Sequence, residues 1–269
     1  MSTAELTRAL EGLWLNDRRV IVHASLRALG KIDGGAEALL QVLLASTRGV
    51  MMPTFTYATM VIPESGPPGN GLTYGSGRDL NQMAEMFDPL MPADKMMGTL
   101  AETLRRHPEA ARTQHPILSF AGVRCEDELR LQTLEQPLAP IEALYKQDGW
   151  VVLMGVDHTA NTSIHLGEYL AGRKQFVRWA LTPAGIVECP RFPGDSRGFR
   201  AIEKDMRPAT RVAQLGRARV HAMPLRKLVG QVERRLTAEP LALLCDHSDC
   251  ERCNDVRRAE ADANRFVIT

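Results

Sequence analysis

Residues 161–168 read Asn-Thr-Ser-Ile-His-Leu-Gly-Glu. On a helix, His165 and Glu168 stand three residues apart on one face, so the carboxylate can orient the imidazole and stabilise its protonated form. Such a pair is a competent general base. Thr162 lies one turn earlier on that face, where its hydroxyl can steady a developing oxyanion. A structural alternative stays open: Asn161 or Thr162 caps the helix and His165 makes an ordinary hydrogen bond.

A second group, His23, Ser25, Gly30, Gly34 and Gly35, precedes a helical pattern that begins near Ala36. Glycines let a backbone approach a ligand closely, and free amides at a helix start suit a phosphate or pyrophosphate. The spacing is neither a Walker A sequence nor G-x-G-x-x-G, and a tight turn that needs glycine explains it equally. A third group is Cys245, His247, Cys250 and Cys253, three thiols and an imidazole within nine residues. Zinc accepts such ligands, yet the spacing is shorter than finger or ribbon patterns and no second C-x-x-C exists. No metal is therefore expected, and the trio reads as reduced surface thiols or a redox-sensitive set. Cys125 and Cys189 read as core fillers.

The elements that must position these groups alternate. Apolar spacing predicts helices over Thr3–Leu15, with Ser2 or Thr3 as cap, and over 36–44, 97–106, 141–147, 163–171 and 225–236. Short apolar runs predict strands over 19–23, 49–52, 118–121, 150–156, 185–189 and 219–223. The first chemical segment thus starts where a buried strand ends, which is where ligand crevices form in open α/β sheets. Pro63 to Gly77 reads as a long surface loop. The fold class is α/β, a layered arrangement with a mixed sheet flanked by helices, in a single unit over residues 1–269 with a cysteine-rich tail from about 240 to 269. Strand order beyond residue 177 does not follow from the pattern.

With 44% hydrophobic residues in a chain of 269, a large core is available. Thirty-three basic against thirty-two acidic residues leave a formal charge of +1, which gives no global field for nucleic acid or an anionic membrane. The basic residues around Arg217, Arg219, Arg226, Lys227, Arg234 and Arg235 alternate with Leu225, Leu228, Val232 and Leu236, as on the solvated face of an amphipathic helix. The N-terminus lacks a secretory pattern and no apolar run approaches a membrane span, so a cytoplasmic protein is expected.

In order and spacing, Val22–Gly35 (V-H-A-S-L-R-A-L-G-K-I-D-G-G), Met52–Thr56 (M-P-T-F-T), Phe87-Asp88-Pro89 and Met97–Glu102 (M-G-T-L-A-E) resemble the aminoglycoside 3-N-acetyltransferase family. Arg112–Pro116 (R-T-Q-H-P), Ser119-Phe120 and N-T-S-I-H-L-G-E extend the likeness across about residues 20 to 172; the position of Thr113 is commonly serine in the family. The resemblance implies a fold distinct from the GNAT acetyltransferases and a ternary-complex enzyme that moves an acetyl group from acetyl-CoA to the 3-amino group of a 2-deoxystreptamine antibiotic. His165 would take the amine proton, Glu168 would orient it or meet the cationic substrate, and Thr162 would polarise the thioester carbonyl. His23, Ser25, Gly34 and Gly35 would line the coenzyme path, with Arg112, His115 and Ser119 as further contacts. A polycationic amine wants carboxylates, and among Glu64, Asp79, Glu85, Asp88, Asp94, Glu102 and Asp157 the two in matched motifs, Asp88 and Glu102, rank first. The loop 63–77 would select the amine, and a homodimer stays open. Three rivals remain: the same chemistry on a non-antibiotic amine, a non-catalytic CoA-binding homologue, and a zinc-dependent hydrolase using His165 with the cysteine tail.

Overall fold

The computed structural model describes residues 1–266; the last three residues of the expected tail lie outside them. Among the described residues ten strands form two sheets. They are β1 (Arg19–Ala24), β2 (Gly49–Pro53), β3 (Met60–Val61), β4 (Ala111–Arg112), β5 (Phe120–Val123), β6 (Trp150–Met154), β7 (Phe176–Thr182), β8 (Gly185–Phe192), β9 (Arg211–Leu215) and β10 (Ala218–Pro224). The larger sheet runs β4-β5-β2-β1-β6-β10-β9, and the smaller runs β3-β7-β8. At the centre of the larger sheet β1 is parallel to β2 and β6, while β5 and β10 flank them antiparallel, so the sheet is mixed.

The β-branched and thioether residues of the central strands are buried on both faces, as expected of strands covered by helices on either side. Val20, Val22, Val50, Met52, Val152 and Met154 join one core cluster, and Ile21, Met51, Val151 and Leu153 join the other. The first cluster is completed by helices Thr3–Glu11, Gly35–Ala45 and Gly98–Arg105; the second by helices Ala139–Lys146, Ile164–Leu170 and Leu225–Ala238. Each fully buried Leu or Val side chain contributes about 1.5–3 kcal/mol to holding these layers.

Local chemistry sets the ends. Ser2 caps the first helix with a reciprocal bond to Glu5, as its position suggests. The helix Leu225–Ala238 buries Leu225, Leu228, Val229, Val232 and Leu236, and its basic side chains meet surface acids, Arg226 with Asp148 and Arg235 with Asp205. Cys125 and Cys189 are fully buried in core packing.

The first helix ends at Glu11 rather than Leu15, strands form at Phe176–Thr182 and Arg211–Leu215 where none was expected, and two further parts differ. The strand placed at 118–121 begins at Phe120, because Ser119 and Ile117 bond instead to the backbone of Thr54 and Thr56 beyond the end of β2. The cysteine tail is largely a helix, Glu251–Phe266, docked by Cys253, Asp255 and Val256, and its three cysteines are buried rather than at the surface. No helix among the described residues is long and apolar enough to cross a membrane.

Candidate active site

The site grows from the carboxyl ends of β1 and β6, which run side by side with His23 opposite Leu153 and Ala24 opposite Met154. Immediately after β6 the chain turns at Gly155 with φ of +67°, where a Cβ would stand 2.9 Å from that of Ala28. Only glycine suits that position. Asp157 then accepts from the amide of Thr159, and the fully buried Asn161 accepts from the amide of Ser163, so two side chains shape the loop that delivers the next helix.

In helix Ile164–Leu170, His165 and Glu168 face each other at 2.7 Å, Nδ1 to Oε2. The other carboxylate oxygen accepts from Arg173 at 3.1 Å, and Arg173 also donates to the carbonyls of Pro240 and Ala242. All three side chains are nearly inaccessible to water. An ionised carboxylate only accepts, so Nδ1 is the donor of this bond and Nε2 is the ring nitrogen turned away from it. The edge-on ring of Phe199, 4.7 Å away between centroids, fixes the imidazole further. The orientation of the imidazole is thus held from behind by a buried ion pair.

His165 lines a cleft of about 740 Å³. Thr162 and His23 line it too, and so do residues from the ends of β2, from Tyr57–Met60, and from the far wall at Arg178, Asp195, Arg197 and Arg252. Burial, and then the nearby His158, hold His23 down to about 3, so it is a neutral ring. His158, itself buried and bonded to Asn161, is held down to about 4.

The remaining expected residues are placed as follows. Ser25 accepts from the amide of Ala28 at the start of a one-turn helix, and Gly34 and Gly35, at φ of +78° and +65°, open helix Gly35–Ala45. None of the three is among the cleft-lining residues. Arg112 spans Thr54, Pro89, Met91 and Ser119, and Ser119 donates to the carbonyl of Thr54. The His115 Nδ1 accepts from the amides of Ile117 and Leu118, and burial holds the ring down to about 4. These three side chains knit loop backbone together behind the cleft. Thr113 accepts from the amide of Phe120, a bond that a serine hydroxyl at this position could also accept.

The expected acidic contacts are placed as follows. Asp88 is exposed and accepts from the amide of Leu90; Glu102 is held by Arg105 and the amide of Ala93; Glu168 lies behind His165. All three already have partners and stand outside the cleft lining. Among the described cleft-lining residues the charged ones are Arg178, Arg197, Arg252 and Asp195. Arg178 sits between the rings of Phe176 and Phe192 and donates to the carbonyls of Asn70 and Gly71. Nothing in the sequence singles out these arginines, since lone basic residues in strands and loops carry no pattern.

Comparison with known proteins agrees with this architecture. A sequence profile described as Aminoglycoside 3-N-acetyltransferase matches residues 21–237. The SPbeta prophage-derived aminoglycoside N(3')-acetyltransferase-like protein YokD of Bacillus subtilis (strain 168) is 31% identical over 174 residues, 61% of this chain and 63% of that protein, so the match spans under two thirds of its length. Aminoglycoside N(3)-acetyltransferase VII of Streptomyces paromomycinus is 30% identical over 264 residues, covering 85% of this chain and 89% of its own. The crystal structure of aminoglycoside acetyltransferase AAC(3)-IVa shares the fold with a TM-score of 0.78 at 24% identity, over 96% of this chain and 97% of that one. With a profile that spans most of its length and a relative aligned nearly end to end, the chain belongs to the aminoglycoside 3-N-acetyltransferase family, a family of acyltransferases.

Proposed function

We propose that this protein transfers an acetyl group from acetyl-CoA to an amine, with His165 as general base and, as its acceptor, the 3-amino group of a 2-deoxystreptamine aminoglycoside. One observation carries the reading: a cleft-lining imidazole whose Nδ1 is fixed by a buried Glu168–Arg173 pair, leaving Nε2 for substrate. Aminoglycoside amines are largely protonated at neutral pH, so Nε2 takes a proton to expose the nitrogen lone pair. The lone pair then forms the N–C bond at the thioester carbonyl, while Thr162, half-exposed beside His165, offers its hydroxyl to the oxygen that gains charge. As the C–S bond breaks, the imidazolium returns its proton to the departing thiolate, and the second proton of the attacking nitrogen passes to solvent, leaving a neutral amide. Glu168 stabilises the imidazolium between the two transfers.

Support for the acceptor comes from relatives. Structures of AAC(3)-IVa are described in complex with a gentamicin and with apramycin, and AAC-IIIb in a binary complex with CoASH. The coenzyme contacts we propose are His23, Ser25, Gly34 and Gly35, of which His23 lines the cleft. Arg112, His115 and Ser119 act through the backbone they hold. Five unpaired cysteines fit a reducing cytoplasm.

A specific observation favours a second reading, in which the amine is not an antibiotic. Three arginines against one carboxylate make the cleft wall basic, and Asp195 is itself paired with Arg197 and Arg252. Such a wall suits an amine that also carries an anionic group. Thiol release from acetyl-CoA, measured against gentamicin, apramycin, kanamycin and a set of amino-carboxylate acceptors, separates the two. Turnover of the antibiotics is expected, with a loss of about 10²–10⁴-fold in a folded His165→Ala variant. Acetyl-CoA binding with turnover confined to the amino-carboxylates establishes the second reading. No binding of acetyl-CoA overturns both.

A further inference from the structure

The C-terminal helix poses a packing problem. In Glu251–Phe266 the apolar side chains buried among the described residues are Cys253 and Val256, with Asp255 beside them, too few for a helix that must dock by burial alone. Val256 reaches the main core, but Cys245, Cys250 and Cys253 form a separate cluster, with Leu244 as its partly buried neighbour. All three are unpaired thiols, at most 4% exposed.

A fourth group joins them from fifty residues upstream. The Asp195 carboxylate, 8% exposed, lies with the three sulfurs so that one ligand atom from each residue is within 4.8 Å of all the others. Zinc bound by thiolate at about 2.3 Å in a tetrahedron requires ligand atoms about 3.8 Å apart, so the cage is preformed to within a small contraction. His247, which the sequence spacing suggested as a ligand, is exposed and does not belong to the group. Three thiolates and a carboxylate around a divalent ion leave two excess negative charges. Two arginines are in place to offset them: Arg197 donates to Asp195 at 3.0 Å and Arg252 at 3.2 Å. Arg257 holds the backbone of the same loop by donating to the Cys245 carbonyl.

We propose that Asp195, Cys245, Cys250 and Cys253 bind a structural zinc ion, each thiol losing its proton as the metal enters. Four protein ligands close the coordination sphere, so the ion takes no part in acetyl transfer. Its work is mechanical. It fastens the loop after β8 to the start of the C-terminal helix and so fixes Asp195 and Arg252, both of which line the cleft.

Elemental analysis of full-length protein, purified under reducing conditions without chelator, tests this directly: about one zinc per chain is expected. Cobalt exchanged into the wild-type protein should show thiolate-to-metal charge transfer and the intense visible bands of a tetrahedral ion, a readout independent of any variant's folding. The Asp195→Ala variant should lose zinc to a chelator at least about tenfold faster, and Asp195→Cys should restore retention, whereas His247→Ala should match wild type. Folded wild-type protein with a negligible zinc content and no cobalt–thiolate band overturns the site. Zinc lost in His247→Ala but kept in Asp195→Ala overturns the assignment of the fourth ligand.

Discussion

The two walls of the cleft are built by different physics. The wall that carries His165 is the end of a sheet buried on both faces: β1 and β6 are packed from either side, and helix Ile164–Leu170 lies against helix Leu225–Ala238 so closely that Gly167 touches Val232. The opposite wall, Arg178, Asp195, Arg197 and Arg252, hangs on polar ties. Asp255 accepts from the amide of Gly71 and Glu251 from the hydroxyl of Thr73, which pins the 63–77 loop; Arg252 donates to the Gly194 carbonyl. Close packing admits few substitutions, whereas polar ties can be exchanged one at a time. A fold divided in this way can vary one wall while keeping the other.

Substitutions test that division. The largest effect of any one substitution is expected on the packed wall: Glu168→Ala leaves Arg173 buried without its carboxylate and should cost about 3 kcal/mol in urea unfolding, together with most of the activity. Unfolding at the wild-type urea concentration would show that the pair does not support the wall. Gly167→Ala places a Cβ 2.7 Å from that of Val232 and should cost about 1–3 kcal/mol, recovered in part by Val232→Ala in the same chain.

Acid should weaken the packed wall and its supports next. His23, held down to about 3, and His115 and His158, held down to about 4, all by burial first, remain neutral in the folded protein below the ordinary histidine value of 6.5. The unfolded chain takes up those protons, so stability is fully present above pH 6.5 and falls as the pH drops toward 4, by up to about 2 kcal/mol per ring at about pH 5. Chemical denaturation across that range, compared with His115→Gln, reads it out; a flat profile contradicts the burial. The smallest effect belongs to the tied wall. Arg252→Ala should move the acceptor KM by roughly threefold with a lesser change in kcat, down for a polycation and up for an anionic amine. An equal change in both constants would mean that the wall takes part in the chemistry.

The packed wall is also the half that the sequence displays. R-V-I-V-H and W-V-V-L-M announce buried strands, and the three-residue interval from His165 to Glu168 announces their pairing, because both signals are local. Arg173 is not legible: it reaches Glu168 from the turn after the helix and is fixed by carbonyls near residue 240, contacts made only on folding. Strand β8 buries few of its residues and lacks the alternation that reveals a half-buried strand, so the smaller sheet shows in the sequence only as a short run. The helix 251–266 is so rich in charged residues that few apolar ones mark its buried face. Asp195 joins the cysteines from fifty residues away, and no spacing rule spans that interval.

Strand β10 lies beside β6 although some sixty residues separate them in the chain. Read as a sequence of events during synthesis, the three parallel strands and the His165–Glu168 pair emerge early, while one neighbour of β6 is still unmade. Domains assemble from the N-terminus as they leave the ribosome, so a nascent chain carries His165 before it carries the helices and loops that hold either wall in place. The residues that pin the 63–77 loop, Glu251 and Asp255, arrive among the last of the described elements, and that loop is therefore the last part of the cleft rim to be fixed.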